Sequence, residues 1–299
     1  MNGGGIGSES RGARLWRWLR EHAVNIVAGL VVLYLLIPIA VILLFSFNDP
    51  AGRYNYTWVG FTLDHWLHAF SRPELNEALL TSLKLALLAT LISTLVGTLM
   101  ALALVRHSFR GRRLANFLIV IPMATPEVVM GAALLSFFLI LNSPPLGFQT
   151  LLIAHVMFCI SFVVVVVRSR LIGFDRSLEE AAQDLGASPI QTFRLVTLPL
   201  IMPGIFGGAM LAFALSIDDF VISNFNSGTT VTFPLYIFGA AQRGIPVEVN
   251  CIAMILFGVT VLAMGFATWQ QQRAEKMASV RPDQEATTTV PMTGSVATT

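Results

Sequence analysis

Apolar and polar positions along this chain do not alternate; the apolar ones run together in long blocks. Residues 25–47, 79–105, 114–141, 150–167, 199–222 and 251–268 are each almost uninterrupted in this sense. A bilayer core needs roughly 20 consecutive apolar residues in helical form. Its backbone must satisfy its own polar groups within the segment, so these blocks read as helices. Residues 163–167 are a β-branched run, but they end an apolar stretch without alternation, and a transmembrane β-barrel would show short alternating segments instead. The pattern predicts an all-α integral membrane protein with six transmembrane helices.

Composition narrows the alternatives. Charged residues make up 12% of the 299 positions and hydrophobic residues 55%, with a mean hydropathy of +0.72. Soluble domains carry about 25% charged residues. The two cysteines, Cys159 and Cys251, are too few for a disulfide framework. A net charge of +2 gives no basic surface for nucleic acid. Gly and Pro are scattered without a period, which excludes collagen-like and repeat architectures.

Basic residues orient the spans. Arg11, Arg14, Arg17 and Arg20 precede the first; Arg106, Arg110, Arg112 and Arg113 follow the second. Arg168, Arg170, Arg176 and Arg194 lie between the fourth and fifth, and Arg273, Lys276 and Arg281 follow the sixth. The opposite side holds Arg53, Arg72 and Arg243, with Lys84 just inside the second span. Positive residues mark the cytoplasmic face, so both termini are expected inside. The first block is longer than the roughly 7–15-residue apolar core of a cleavable signal and reads as a retained span. The expected organisation is a cytoplasmic N-terminal tail (1–24), the first helix and outer loop (25–78), a five-helix core (79–268) and a disordered cytoplasmic tail (269–299).

The outer segment 48–78 carries Tyr54, Tyr56, Trp58, Trp66 and Phe70, rings suited to a membrane interface. His65 and His68 lack a third ligand of suitable type nearby, so no metal site is expected. His155, alone in mid-span, is expected to pack or hydrogen-bond within the bundle.

The inner loop 168–198 is the most informative soluble stretch. Ser177-Leu178-Glu179-Glu180 fits a capping box, predicting a short helix over residues 178–185 that Gly186 ends in the left-handed conformation. Ser188-Pro189 restarts a second helix, and Leu198-Pro199 closes it and begins the fifth span. Small residues at Ala181, Ala182 and Gly186 let another surface approach, while Glu179, Glu180 and Asp184 supply charge. From these residues alone, a rigid interfacial connector and a docking element for a cytosolic partner fit equally well.

Glu180-Ala181-Ala182, three residues, Gly186, nine residues, Val196, one residue and Leu198-Pro199 resemble the signature of ABC-importer permeases, whose pattern usually has isoleucine at the place of Val196. The resemblance covers about residues 79–268 and implies a type I ABC-importer permease fold with a cytoplasmic coupling helix. It assigns ATPase coupling to Glu180, Ala181, Ala182, Gly186, Leu198 and Pro199. No Gly-x-x-x-x-Gly-Lys-Ser/Thr loop occurs, so this chain is not expected to bind ATP in the P-loop manner. ATP and magnesium are expected on a separate nucleotide-binding subunit, with no catalytic residue and no cofactor here.

Ionisable residues at membrane depth tend to line an interior path. Glu127 lies in Pro122-Met123-Ala124-Thr125-Pro126-Glu127, whose prolines loosen the helix; Asp218 and Asp219 lie near the outer end of the fifth span. A helix end at the aqueous surface fits the two aspartates as well as a path does, and bundle pairing competes with a path role for Glu127. Three acids with no intramembrane base besides Lys84 suit a cationic cargo. Phe213, Phe220 and Phe225 are placed where cation–π contacts could add to this, against a plain packing role.

Four ordered blocks resemble the spermidine/putrescine branch: Pro126-Glu127-Val128-Val129, Ser216-Ile217-Asp218-Asp219-Phe220-Val221, Phe233-Pro234-Leu235-Tyr236-Ile237, and Arg243-Gly244-Ile245-Pro246-Val247-Glu248-Val249-Asn250. The branch implies a heteromeric importer with a second permease, two ATP-binding subunits and an extracytoplasmic substrate-binding protein. Sister branches carry other solutes on similar scaffolds. A secondary transporter would need no coupling loop, and an intramembrane enzyme would need a nucleophile–base or metal constellation that the spans do not offer.

Overall fold

The computed structural model describes residues 11–280 except 53, 143 and 174. In chain order the helices are α1 (Arg11–Phe45), α2 (Asp64–Leu67), α3 (Pro73–Arg106), α4 (Arg112–Ala124), α5 (Glu127–Leu141), α6 (Phe148–Ile172), α7 (Ser177–Asp184), α8 (Pro189–Thr192), α9 (Leu198–Ile217), α10 (Val221–Asn226), α11 (Phe233–Arg243) and α12 (Val247–Val280). A π-helical turn, Phe193–Thr197, joins α8 to α9. The only extended pairing among the described residues is an isolated antiparallel bridge between Asn48 and Phe61.

Four described helices are long and apolar enough to cross a membrane, or five when α4 and α5 count as one bent span. The sixth expected span falls on α12, whose apolar part, Val247–Leu262, is shorter. The third expected span is sharply broken: α4 and α5 meet at 111°. Pro126 lacks an N–H and forces Thr125 out of the helical region, to ψ 132°. Pro126 itself is extended at ψ 132°, and two such residues in succession turn the chain. The fifth expected span likewise stops early, at Ile217, before the chain restarts as α10. Residues 269–280, expected in a disordered tail, continue α12. Residues 1–10 and 281–299 lie outside the described residues.

The chain divides into two units. In one, formed by residues up to Ala69 and from Pro246 onward, the Asn48 side chain organises the segment after α1. It donates to Asn55 Oδ1 (2.6 Å) and the Thr57 carbonyl (2.8 Å), and accepts from the Val59 amide (2.8 Å). Phe47 stacks between Phe61 and Trp66. The aromatic segment is therefore a folded cap over the end of α1. His68 pairs with Asp64 at 3.1 Å, and His65 lies 4.0 Å from Glu248.

The second unit, Phe70–Ile245, is built on α3, α6 and α9. α3 turns a small-residue stripe inward: Ser82, Ala86, Ala89, Ser93, Gly97 and Ala101 are all buried. α9 does the same with Gly208, Ala212 and Ser216. Lipid gives helices no hydrophobic reason to associate, so close backbone approach and dispersion do the work. A Cβ added at Gly97 would lie 2.8 Å from Val163 Cγ1 of α6, nearer than such atoms approach, which fixes glycine there. Cys159 of α6 donates to the Ala212 carbonyl of α9 at 3.5 Å.

Candidate functional site

Two places in the second unit gather the residues the sequence singles out. The first is the segment from α7 to α9. α7 begins at Ser177, one residue earlier than expected, and the capping box expected from Ser177 and Glu180 does not form. Asp175 Oδ1 instead accepts the Ser177 amide at 3.0 Å. That hydrogen bond holds the Asp175 carboxyl below the usual carboxylate range. The box forms one helix later: Ser188 Oγ accepts from the Gln191 amide (3.4 Å) and Gln191 Oε1 from the Ser188 amide (2.8 Å), with Pro189 at the first helical position. Pro189 keeps Ser188 extended, the geometry an N-cap needs.

Gly186 takes φ +87°. The Gly186 amide donates to the Gln183 carbonyl (2.8 Å) and the Ala187 amide to the Ala182 carbonyl (3.0 Å). This pair of bonds is a Schellman closure, which requires a left-handed residue between them. The chain does not break at Leu198-Pro199: residues from Pro189 to Ile217 form one helical run. The π turn before Pro199 absorbs the hydrogen bond that proline cannot make. Likewise α6 continues to Ile172, so Arg168 and Arg170 sit on its last turns rather than in a loop.

What ties this segment to the helical core is Glu179, which sequence reasoning singled out only as surface charge. Arg106, the last residue of α3, donates both guanidinium amino groups to the Glu179 carboxylate, at 2.5 and 2.6 Å. Both side chains are mostly buried, 17% and 16% exposed. The Thr197 hydroxyl donates to the same carboxylate. One acid in the first turn of α7 thus clasps the end of α3 and the start of α9. Glu180 and Ala181 are exposed, Ala182 and Leu198 half-buried, and Pro199 exposed. Ala182, Gly186, Gln191 and Leu195 line a cavity of about 430 Å³ between α7 and the following turns. Leu185 and Ile190 stand 90% and 79% exposed beside it.

The second place is the break between α9 and α10, packed on the start of α5. Asp219 is buried, its Oδ1 and Oδ2 accepting the Ile222 amide (3.2 Å) and Ser223 amide (2.8 Å) at the start of α10. Its Oδ2 lies 3.4 Å from His155 Nε2. His155 also hydrogen-bonds Ser216 Oγ through Nδ1 (2.8 Å) and Ser223 Oγ through Nε2 (3.1 Å). A buried knot of α6, α9 and α10 therefore holds the break, as expected for a mid-span histidine. Asn226 at the end of α10 donates to the Gly131 carbonyl of α5 (3.3 Å), and Phe225 packs where a Gly131 side chain would be.

Glu127 opens α5 and is exposed, as is Asp218. No hydrogen bond or ion pair among the described residues joins Glu127 to either aspartate. Of the three acids, then, one is committed to holding the fold and two present free surfaces in this chain alone. Phe220 packs on Phe238 of α11, ring centroids 4.6 Å apart.

Residues 93–276 match the family of binding-protein-dependent transport system inner membrane components. The chain belongs to this family. It is a multi-pass inner-membrane permease component. Among relatives in this family, it is 40% identical over 233 residues to the spermidine/putrescine transport system permease protein PotC of Haemophilus influenzae, covering 78% of this chain and 90% of that one. It is 36% identical over 261 residues to the putrescine transport system permease protein PotI of Escherichia coli K12, covering 85% and 91%. The fold matches the crystal structure of a bacterial ABC transporter that imports the acidic polysaccharide alginate, with a TM-score of 0.62, 18% identity, and 88% and 98% of the two chains covered. The likeness at that identity is one of overall fold, that of ABC-transporter permeases.

Proposed function

We propose that this chain is the permease subunit of an ATP-driven importer of polyamines. It works beside a second permease subunit, two ATP-binding subunits on the cytoplasmic side and an extracytoplasmic binding protein. The cargo reading is supported by relatives whose names specify spermidine and putrescine. It is also supported by chemistry: carboxylates stabilise ammonium groups through charge-assisted hydrogen bonds and repel anions. Glu127 and Asp218 are assigned to the path because their side chains are exposed. Asp219 holds the α9–α10 break from which Asp218 projects.

The observation that carries the coupling reading is the clasp of Arg106, Thr197 and Glu179. A helix resting on a partner can move the spans only if force passes through a stiff connection. Glu179 supplies it at the start of α7, and the unbroken run from Pro189 to Ile217 supplies it on the other side. The exposed Leu185, Ile190 and Glu180 with the groove at Ala182 and Gly186 form the surface on which an ATP-binding subunit sits. Both termini and residues 168–198 then face the cytoplasm, following the distribution of basic residues. ATP binds and is hydrolysed, with magnesium, on the partner subunit. Closure of the ATP-binding dimer shifts the clasped helices as a rigid body and exchanges outward for inward access.

The test is uptake of radiolabelled spermidine and putrescine by cells that lack their own polyamine uptake and express the whole complex. Wild-type complex should accumulate either amine, and Glu127→Gln with Asp218→Asn should lower uptake about tenfold or more while assembly persists. Normal uptake of both amines by the double variant would remove the acids from the path. Failure of the wild type to take up either amine would overturn the cargo.

A further inference from the structure

A cavity of about 290 Å³ opens where α3 ends, α4 begins and α6 ends, and it belongs neither to the coupling segment's groove nor to the acid-bearing break. Val105, Arg112, Arg168, Leu171, Ile172 and Arg176 line it. Three arginines thus line one small space, and no acidic residue does. Glu179, the acid held at the end of α3, has both oxygens engaged by Arg106. Like charges gathered without a counter-charge repel one another unless an anion joins them.

Two of the arginines are held in place. Arg168 donates to Asn116 Oδ1 of α4 at 2.7 Å, and Arg176 to the Val105 carbonyl of α3 at 3.4 Å. Each contact leaves further N–H groups on a five-donor guanidinium. The Arg112 side chain makes no hydrogen bond or ion pair among the described residues, its backbone amide alone donating to the Phe109 carbonyl (3.3 Å), and it is half-buried. It is also the first residue of α4, whose N-terminus carries no side-chain cap, so the positive end of the helix dipole adds to the same field. Planar guanidinium forks at fixed positions suit the tetrahedral oxygens of a phosphate.

We infer that this cavity binds a phosphate anion, supplied by the headgroup of an anionic phospholipid. The surroundings favour the lipid over free phosphate. Ile172, on the cavity wall, is 66% exposed, and Leu114 and Phe117, on the helix that carries Arg112, are 60% and 63% exposed. An acyl chain has apolar surface to lie against on leaving the headgroup. Arginines at helix ends and basic pockets between membrane helices meet headgroups at this depth. A lipid seated there bridges α3, α4 and α6 beside the clasp at Arg106.

The experiment uses the full chain in the complex it forms, purified in a neutral detergent and titrated with phosphatidylglycerol, phosphatidylcholine or inorganic phosphate. Native mass spectrometry counts the bound molecules. One phosphatidylglycerol per copy of the chain should bind about tenfold more tightly than phosphatidylcholine. Arg112→Gln should lose about tenfold in that affinity, and Arg112→Lys should recover part of it. Arg168→Gln, which also gives up the Asn116 contact, should lose at least as much; Arg112→Gln decides the matter if that variant does not fold. Retention of inorganic phosphate with no preference for phosphatidylglycerol would keep the anion site and overturn the lipid source. Equal binding of the two lipids without phosphate binding, or undiminished phosphatidylglycerol binding by Arg112→Gln, would overturn the site. So would loss of subunit assembly in Arg112→Gln with lipid binding unchanged, which would assign the arginines to a partner protein.

Discussion

Replacing Glu179 by Gln removes one charge and almost no volume from the clasp that joins α7 to α3 and α9. An exposed ion pair contributes about 0–1 kcal/mol, whereas breaking a buried one costs about 3–5 kcal/mol. The Arg106 and Glu179 side chains are 17% and 16% exposed and meet through two bonds, of 2.5 and 2.6 Å, which places the pair nearer the buried limit. The neutral amide still accepts one of the arginine's hydrogen bonds, so the expected loss is about 2 kcal/mol, roughly thirtyfold in the equilibrium between seated and unseated α7. The assay is the ratio of spermidine imported to ATP hydrolysed by the reconstituted complex. If α7 transmits the motion, Glu179→Gln should keep hydrolysing ATP while importing several-fold less per ATP. Exchanging the charges, Arg106→Glu with Glu179→Arg, should recover part of the ratio, because the pair is restored although the Thr197 bond is altered. An unchanged ratio in Glu179→Gln, in protein that unfolds at the wild-type temperature, would refute the reasoning.

Further outcomes follow from the same geometry. Gly186→Val forces a β-branched residue to φ +87°, costing about 1–2 kcal/mol, and should reduce uptake while leaving the protein in the membrane. His155→Leu leaves the buried Asp219 beside an apolar side chain, should destabilise the second unit by about 2–4 kcal/mol and should lower the melting temperature of the purified chain; His155→Gln, which keeps a donor, should lose less. Cysteine placed at Asn142 in a cysteine-free background should react with an impermeant thiol reagent added to intact cells, and cysteine at Ser188 should not; the reverse pattern would overturn the orientation.

Much of this architecture is legible in the linear sequence because it is local. Runs of apolar residues announce helices wherever lipid is the solvent, and Gly186 announces its turn because a Schellman closure needs a left-handed residue. Local signals mislead when two of them compete. Ser177 and Ser188 both begin capping-box patterns, and the one followed by proline formed, while Asp175 took over the first helix. The prolines at 122 and 126 foretell a weakened third span, but not its 111° turn, because the angle depends on what the freed end packs against. The clasp was hidden for a different reason. Arg106 and Glu179 are 73 residues apart, and nothing in either neighbourhood marks one as the other's partner. Asp219 and His155 meet in the same way, across α6 and the break between α9 and α10. An acid near a span end therefore reads as a path residue until the fold shows which amides it accepts from.

The most direct test of the central claim is the energy source for import. The complex reconstituted in liposomes, with its binding protein outside and ATP at the face of the ATP-binding subunits, should accumulate radiolabelled spermidine in the presence of a protonophore. It should stop when ATP is replaced by a non-hydrolysable analogue. Accumulation that collapses with the protonophore and ignores the nucleotide would contradict the account, because the clasped segment from α7 to α9 would then have no ATP-driven motion to transmit.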